Sequence, residues 1–434
     1  MKKKIIVILA IMISILIFGA IAYKAPYMLP HEVLEPIRFL RDFQQEFTRT
    51  AERNVGIPLK AQTVDSTFMI EEFVTGLSQP TTMTFMGNDI LILEKNKGTI
   101  RLIKNGQLQT EPVLDLSVSN TNEQGLLGIL GIDSTVYLYF TEAKNDGDIA
   151  LGNHIYKYKW DGSKLFDPKL VTELPSKSLW HNGGILVADS DKNVYAVIGD
   201  QTSTNSPLEK YRILQNYQSG ELDDTGVIIK VGLDESITKP RDTSNPMDHY
   251  YAMGIRNSFG LAIDPITGHM WDTENGPELY DEVNLVLPNS NSGWVKILGP
   301  SQGKSTDLTL TDHFEYSDPE FTWELTVVPT ALIFPVSPQF EKYNNSLFVA
   351  NCLGDIYNFK LNQERTAFVF NDEHLSDLVS NKIIDNEDKT ILEPMTEIIF
   401  GSNFGCITDL KFGPDGALYI VSLSDNIIYK MYKK

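Results

Sequence analysis

The chain has 434 residues, 42% hydrophobic and 22% charged, which is enough apolar material for a large core and unlike a disordered composition. Its formal net charge of -20 repels phosphate backbones, so nucleic acid is not expected as a partner. The only cysteines are Cys352 and Cys406, too few for a disulfide framework or a multi-cysteine zinc site.

Residues 1–23 have the features of a membrane anchor. Three lysines, Lys2–Lys4, precede an uncharged and almost wholly apolar run, Ile5–Tyr23. At about 1.5 Å per residue, a helix of this length nearly matches the roughly 30 Å hydrocarbon core of a bilayer. Because such lysines stay in the cytoplasm, we expect residues 24–434 to lie outside it, in a single-pass cell-membrane protein. Ala20–Ala22 also has the form of a signal-peptidase site, so a cleaved signal and a secreted protein are the alternative.

Residues 24–66 are predicted to be a helical stalk or linker. Within residues 31–53, four large apolar side chains fall near one helical face, namely Ile37, Leu40, Phe43 and Phe47. Helical periodicity is lost after this segment, and residues 67–434 are predicted to form a single main domain.

The main domain repeats one short unit, a turn rich in Asp, Asn or Gly followed by a β-rich strand. The central strand residues of the six copies are Leu91, Leu138, Tyr195, Met270, Leu347 and Leu418. Six irregularly spaced units fit six four-stranded blades around an axis, and closing such a ring removes exposed sheet edges. We therefore predict an all-β fold, a six-bladed β-propeller. A pair of β-sandwiches is the alternative, although it does not explain six copies of one unit.

Several segments carry more than strand patterning. In chain order they are Glu123–Gly128, His181–Gly184, Ile198–Asp200, Gly254–Leu261, Glu274–Pro277 and Gly413–Gly416. In type and order they resemble the signature blocks of the soluble glucose/sorbosone dehydrogenase family, over about residues 68–432. That family consists of six-bladed propellers that use pyrroloquinoline quinone (PQQ), so the resemblance implies an oxidoreductase like the aldose sugar dehydrogenases. The same scaffold also occurs in animal proteins that only bind.

His181 is the candidate catalytic base. Gly183 and Gly184 let backbone approach closely, as expected where a ligand lies against a loop. An imidazole, which titrates near neutral pH, can take the proton from a sugar hydroxyl as hydride leaves the same carbon. The resemblance implies this role for His181, and implies that Asp200 holds its second ring nitrogen. The alternative is a histidine that caps a strand end in a glycine turn.

Arg256 is the third candidate catalytic residue. The resemblance implies that its guanidinium lies against the quinone oxygens, where it stabilises the charge that develops as the ring accepts hydride. Glu123, Arg256 and Asn257 are then expected to bind the cofactor. The alternative is a structural arginine that bridges two blades.

A calcium site is predicted at the Glu274–Pro277 turn. The family holds calcium through backbone carbonyls at the positions that match Gly276 and Pro277, and hard oxygen donors of this kind suit Ca²⁺. Asp281 and Glu282 are nearby acidic groups, expected as further ligands or as their supports. The alternative is a plain loop.

Three further cofactor-binding positions depart from the family. A lysine and a pair of arginines clamp the three carboxylates of PQQ there, whereas the matching residues here are Cys352, Cys406 and Thr408. A hydrogen bond to a charged group is worth roughly 1.5–3 kcal/mol, so this departure predicts weaker binding of a trianionic ligand. Lys411 lies two residues past Asp409 and compensates only if the loop register slips.

The two cysteines are expected to face the same axial pocket, because the residues they replace reach one ligand from neighbouring blades. A disulfide between them needs Cα atoms within about 7 Å and an oxidising compartment. Two buried free thiols, the usual behaviour of unpaired cysteine, are the alternative.

These features leave three hypotheses of function. The first is an extracytoplasmic aldose dehydrogenase with PQQ and Ca²⁺, which oxidises a small sugar and passes electrons to an external acceptor. The second is a non-catalytic propeller that binds carbohydrate or protein through a degenerate cofactor pocket, as the missing cations favour. The third, a calcium-dependent lactonase-like hydrolase, is disfavoured because no set of acidic ligands around one metal is evident.

Overall fold

The computed structural model describes the chain over residues 60–201, 224–232, 238–240, 246–301, 308, 312–386, 389–392 and 395–434. The predicted anchor, residues 1–23, and the predicted stalk helix, residues 31–53, lie outside this part of the chain and stay predictions. Within it, no helix combines the length and the apolar character that a membrane crossing requires. Ala61–Lys434 forms one compact unit.

Short β-strands make up about half of the described chain, and the main sheets are numbered in chain order. The first two strands are β1 (Gln62–Thr63) and β2 (Phe68–Val74). Sheet 1 follows with β3 (Pro80–Met86), β4 (Asp89–Glu94), β5 (Thr99–Lys104), β6 (Gln107–Leu108) and β7 (Leu114–Asp115). Sheet 2 contains β8 (Leu126–Ile132), β9 (Thr135–Ala143), β10 (Ala150–Trp160) and β11 (Leu165–Leu174).

Sheets 3 and 4 are interleaved in the sequence. Sheet 3 begins with β12 (Leu186–Ala188), β13 (Val194–Ile198), β14 (Val227–Val231) and β15 (Tyr250–Met253). Sheet 4 begins with β16 (Ser258–Ile263), β17 (Met270–Glu274) and β18 (Leu279–Val286). The chain then returns to sheet 3 with β19 (Ser290–Asn291) and β20 (Glu315–Tyr316), and to sheet 4 with β21 (Phe321–Leu325).

The remaining strands follow in chain order within the described residues. They are β22 (Pro329–Ile333), β23 (Ser346–Asn351), β24 (Ile356–Lys360), β25 (Val379–Ser380), β26 (Ile383–Asn386), β27 (Lys389–Leu392), β28 (Ile399–Ser402), β29 (Ile407–Phe412), β30 (Leu418–Ser422) and β31 (Ile427–Lys433). In the part of the chain that the structure describes, three short 3-10 helices span Pro246–His249, Pro338–Tyr343 and Glu373–Leu375. Sheet 5 contains β22, β23, β24, β28 and β1; sheet 6 contains β29, β30, β31 and β2; β26 and β27 form a separate hairpin.

The sheets are less uniform than the sequence predicts. Sheets 2 and 6 have four strands each, whereas the other main sheets have five or six. The additions include β19 and β20, which extend sheet 3 in parallel, and β25, which extends sheet 4 in parallel. The prediction of four strands in every blade is therefore wrong, because segments between the regular strands pair with sheet edges and cover them.

The innermost strands of the sheets form a closed ring. In chain order these strands, β3, β8, β12, β16, β22 and β29, each contact the next, and β29 contacts β3. The N-terminal strand β2 pairs antiparallel with the C-terminal strand β31, so the two ends of the domain share sheet 6. The described residues thus form an all-β propeller, which confirms the predicted architecture over the β-sandwich alternative.

Apolar clusters fill the spaces between neighbouring sheets. One example joins Trp271 and Trp323 of sheet 4 to Phe359 of sheet 5, all with no exposed surface. Similar clusters join each of the remaining pairs of neighbouring sheets around the ring. Because both faces of each sheet are covered, the second strands are buried almost throughout, as in β13 and β30.

The topology brings the predicted site residues to one end of the molecule. In an antiparallel sheet, successive connections alternate between two ends, so the second-to-third connection and the exit to the next sheet share an end. The predicted residues lie on or beside such connections, namely Glu123, His181, Asp200, Arg256, Asn257, Gly276, Pro277, Asp281, Glu282, Cys352, Cys406 and Thr408.

Candidate active site

His181 lies in the connection between sheets 2 and 3, and its ring is held by Asp200. Its backbone has a φ of 60°, in the left-handed region that non-glycine residues seldom adopt. The ring Nδ1 lies 2.5 Å from Asp200 Oδ1, and the backbone N–H donates to Glu123 Oε2 at 2.5 Å. With its proton on Nδ1, the imidazole keeps Nε2 as its basic nitrogen.

Close backbone contacts keep three connections together around this histidine. A Cβ on Gly199 would lie 2.5 Å from the carbonyl oxygen of Arg256 and 2.8 Å from that of His181. The next residue, Asp200, donates its N–H to the same Arg256 carbonyl at 2.8 Å. Glycine is therefore required at position 199, because any side chain would separate the three predicted catalytic residues.

Arg256 lies among carboxylates and backbone acceptors. Its Nη1 donates to the carbonyl oxygen of Asn275 at 2.5 Å, and its backbone N–H donates to Glu274 Oε2 at 2.8 Å. Burial lowers the pKa of the guanidinium, and the charges of Asp200 and Asp281 oppose that shift. The site thus contains a partly buried cation held by neighbouring anions.

Glu123 is an acidic group directly beside the histidine. Burial raises the pKa of its carboxyl, while His181, Arg256 and a hydrogen bond from the Asn257 side chain act in the opposite direction. The structure thus brings Glu123, His181, Asp200, Arg256 and Asn257 together, as the resemblance implies.

Trp294 is a member of this cluster that no sequence motif indicated. Its Nε1–H donates to Asp200 Oδ2 at 2.7 Å, and the Arg256 Cζ atom lies 5.3 Å from the centre of its ring. It follows β19, in the segment that leaves sheet 4 to join the edge of sheet 3. Because this placement depends on long-range strand pairing, no local sequence signal could have identified the residue.

Asp281 fixes backbone on two adjacent connections. Its Oδ1 accepts the N–H of Gly276 at 2.8 Å, and its Oδ2 accepts those of Val327 at 2.6 Å and Val328 at 2.7 Å. Burial raises the pKa of Asp281 to about 6. Val328 has a φ of 60°, which is unfavourable for a β-branched residue and is held by this contact.

The predicted calcium residues surround a tight turn. A Cβ on Gly276 would lie 1.9 Å from the carbonyl oxygen of Leu279, so only glycine fits there. Glu282 accepts the N–H of Gly299 at 2.8 Å, and burial raises its pKa well above the ordinary value. No group of three or more His, Cys, Asp or Glu side chains in the described chain is placed to hold a metal ion. A site at Gly276 and Pro277 would therefore depend on backbone carbonyls.

Cys352 and Cys406 form a disulfide that joins sheets 5 and 6. They are 54 residues apart in sequence, and their Cα atoms lie 3.7 Å apart. The two-thiol alternative is therefore wrong. The N–H of Cys352 donates to the carbonyl oxygen of Val328 at 2.9 Å, so the bridge adjoins the strained connection held by Asp281.

The residues at the three positions where the family carries cations are uncharged in this chain. Thr408 donates its hydroxyl to the carbonyl oxygen of Pro80 at 3.1 Å, a bond between the last sheet and the first. Lys411, the nearby lysine that could compensate for them, donates to Asp409 Oδ1 at 2.7 Å. The register between β29 and β30 does shift between Ile407 and Asp409, yet the lysine remains paired with this carboxylate.

The chain is similar to known sugar dehydrogenases. The family model described as Glucose / Sorbosone dehydrogenase matches residues 77–429. Aldose sugar dehydrogenase YliI of Escherichia coli strain K12 is 22% identical over 82% of this chain and 90% of that protein. Quinoprotein glucose dehydrogenase B of Acinetobacter calcoaceticus is 28% identical over 49% of each chain.

A solved structure supports the fold. The PQQ-bound form of aldose sugar dehydrogenase from Streptomyces coelicolor aligns with a TM-score of 0.59 and 22% identity, over 85% of this chain and 99% of that one. Because the family model matches most of the sequence, this protein belongs to the glucose/sorbosone dehydrogenase family, as its motifs predicted, and is at that level a sugar oxidoreductase.

Proposed function

We propose that this protein oxidises an aldose or a related sugar, with PQQ as the hydride acceptor. The observation that carries the proposal is the 2.5 Å contact between His181 and Asp200, beside the partly buried Arg256. Hydride removal from an alcohol carbon needs a base, a group that orients the base, and a cation where negative charge develops. These three residues supply those parts.

The quinone end of the cofactor fits the residues around Arg256. Three polar atoms there are buried without a hydrogen-bond partner among the described residues, Arg256 Nε, Asn257 Oδ1 and Asn275 Oδ1. Buried polar atoms normally have partners, so their clustering supports a bound polar group. Arg256, Asn257 and Glu123 would hold the quinone, which supplies a two-electron acceptor when bound.

In the proposed reaction, Asp200 accepts a hydrogen bond from the Nδ1–H of His181, which keeps the proton on Nδ1 and leaves Nε2 unprotonated. Nε2 takes the proton of the sugar hydroxyl while the carbon that bears this hydroxyl gives up its hydride to the acceptor. That carbon thereby becomes a carbonyl. Arg256 stabilises the negative charge that develops on the acceptor side. His181 then releases the proton to solvent, which restores the base.

We propose a calcium ion at the backbone carbonyls of Gly276 and Pro277, with Asp281 and Glu282 close by. Carbonyl oxygens are suitable Ca²⁺ ligands. The three hydrogen bonds that Asp281 accepts support the proposal, because they fix the backbone of this turn and of the next connection.

We propose further that each of the six main sheets is one blade, so that the propeller has six. The closed ring of innermost strands supports this count.

We propose that the main domain lies outside the cytoplasm and passes electrons to an external acceptor. The apolar run of residues 1–23, which follows three lysines, supports this location.

A titration of the purified full-length protein with PQQ and Ca²⁺ tests the proposal. We expect a change in the absorbance of the bound quinone, followed by reduction of an acceptor dye when an aldose is added. Omitting Ca²⁺, or adding a chelator, should weaken both signals. Failure to bind PQQ with Ca²⁺ present would contradict the dehydrogenase assignment.

A second candidate function is a binding propeller without catalysis. The Cys352–Cys406 disulfide favours it, because the bridge occupies positions that hold cofactor-binding cations in the family. Binding of a sugar without PQQ binding, in the same titration followed by calorimetry, would support this alternative.

A further inference from the structure

The segment between β18 and β21 brings a tryptophan to the catalytic histidine and its aspartate. After leaving sheet 4, this segment adds β19 in parallel to β15 of sheet 3. Trp294 lies three residues after the end of this strand and is 5% exposed. Its contacts therefore depend on the pairing of two sheets and not on its neighbours in sequence.

Trp294 contacts both charged partners of the proposed reaction. One oxygen of Asp200 lies 2.5 Å from the Nδ1 of His181, and the other accepts the indole N–H at 2.7 Å. The indole ring also lies beside the Arg256 guanidinium, whose Cζ is 5.3 Å from the ring centre, within the range of a cation–π contact. One side chain thus contacts both the carboxylate and the cation.

Two other buried tryptophans show what a purely structural role looks like. Trp271 and Trp323 are completely buried in the cluster between sheets 4 and 5, and their indole N–H groups have no partner among the described residues. Trp294 belongs instead to a small separate cluster with Val295 and Leu298. Its burial therefore accompanies a polar contact at the site, whereas theirs accompanies core packing.

We infer that Trp294 is a positioning residue for sugar oxidation, which holds Asp200 against His181 and Arg256 in its place beside them. The inference rests on the proposed function for its catalytic consequence, but the positioning itself is a property of the resting protein. Loss of the indole N–H removes one of the contacts that orient the Asp200 carboxylate, so the acceptor that faces His181 is held less firmly.

The variant Trp294→Phe removes the N–H and keeps an aromatic ring. We expect kcat for aldose oxidation to fall about 10- to 100-fold with KM changed less than about threefold, as for a group that orients a base. The matched control is Trp271→Phe, which makes the same change where the N–H has no partner, and its kcat and KM should stay near those of the native protein. Equal behaviour of the two variants would overturn the inference.

A spectroscopic measurement separates this inference from the proposed function. In protein labelled with ¹⁵N-histidine, the proton on His181 Nδ1 should give a low-field signal that is lost in Asp200→Asn. The signal should move upfield in Trp294→Phe and stay in place in Trp271→Phe, whether or not any sugar is oxidised. An unmoved signal in Trp294→Phe would reject the positioning role even in an active enzyme, whereas a moved signal in a protein that fails to bind PQQ would reject only the dehydrogenase.

Discussion

Carboxylates contact His181 at both its backbone and its ring. Glu123 accepts the backbone N–H, and Asp200 faces Nδ1. The Asp200 contact selects the tautomer of His181 that has Nε2 available. The strained backbone at residue 181 persists because Glu123 holds its N–H.

Replacement of this histidine tests the catalytic assignment. His181→Ala should lower kcat by roughly 10²–10⁴-fold, because proton transfer would then depend on water, while the dissociation constant of PQQ changes much less. Steady-state kinetics and the quinone titration measure the two effects. His269→Ala, at the opposite end of sheet 4, is the control and should match the native protein. Near-normal turnover in His181→Ala would assign the histidine to structure.

At the scale of single elements, sheet 4 contains a partly buried glutamate whose ionisation depends on the fold. Glu320, just before β21, accepts the N–H of Leu285 in β18, and burial raises the pKa of its carboxyl to about 8. The native state therefore holds this proton more tightly than the unfolded chain does. Stability from the protonated form is present below about pH 4.5 and is lost as the pH rises towards 8.

Glu320→Gln should remove that loss, since glutamine keeps an oxygen acceptor and cannot ionise. We expect the variant to melt above the native protein at pH 9 and close to it at pH 5, as measured by thermal unfolding across this range. The exposed Glu315, in β20, provides the control, and Glu315→Gln should track the native protein at every pH. A constant difference between Glu320→Gln and the native protein would contradict the titration.

Local sequence patterns predict some of these strands and not others. Every repeated unit found in the sequence contains the second strand of a sheet, so Leu91 lies in β4, Leu138 in β9 and Tyr195 in β13. Those strands are recognisable because a tight turn and a fully buried apolar run are local features. The parallel additions to sheets 3 and 4 join segments far apart in sequence, and Trp294 depends on one of them. Local patterns carry no information about such pairs.

At the scale of the whole molecule, polar contacts join the last sheets to one another and to the first. Thr330 donates its hydroxyl to the carbonyl oxygen of Ile407 at 2.5 Å, and Thr408 donates to that of Pro80 at 3.1 Å. Together with the pairing of β2 and β31, these bonds add polar contacts to the closure of the ring. The motif residues are thus supported by closure of the propeller as well as by their own connections.

The disulfide is the covalent part of that closure, and its removal should weaken the whole domain. Cross-linking residues 54 apart restricts the unfolded chain by roughly 4 kcal/mol in the loop-entropy model, so Cys352→Ser with Cys406→Ser should lower the free energy of unfolding by up to that amount. Denaturant unfolding with and without a reductant measures the effect. The native protein should lose stability on reduction, whereas the double variant should not respond to the reductant, because no other cysteine is present.

Peptide mapping of protein alkylated before digestion should recover the two cysteines as one linked pair, and recovery of two alkylated thiols would contradict the bridge. Tighter PQQ binding by the reduced protein would show that the bridge also restricts the cofactor pocket.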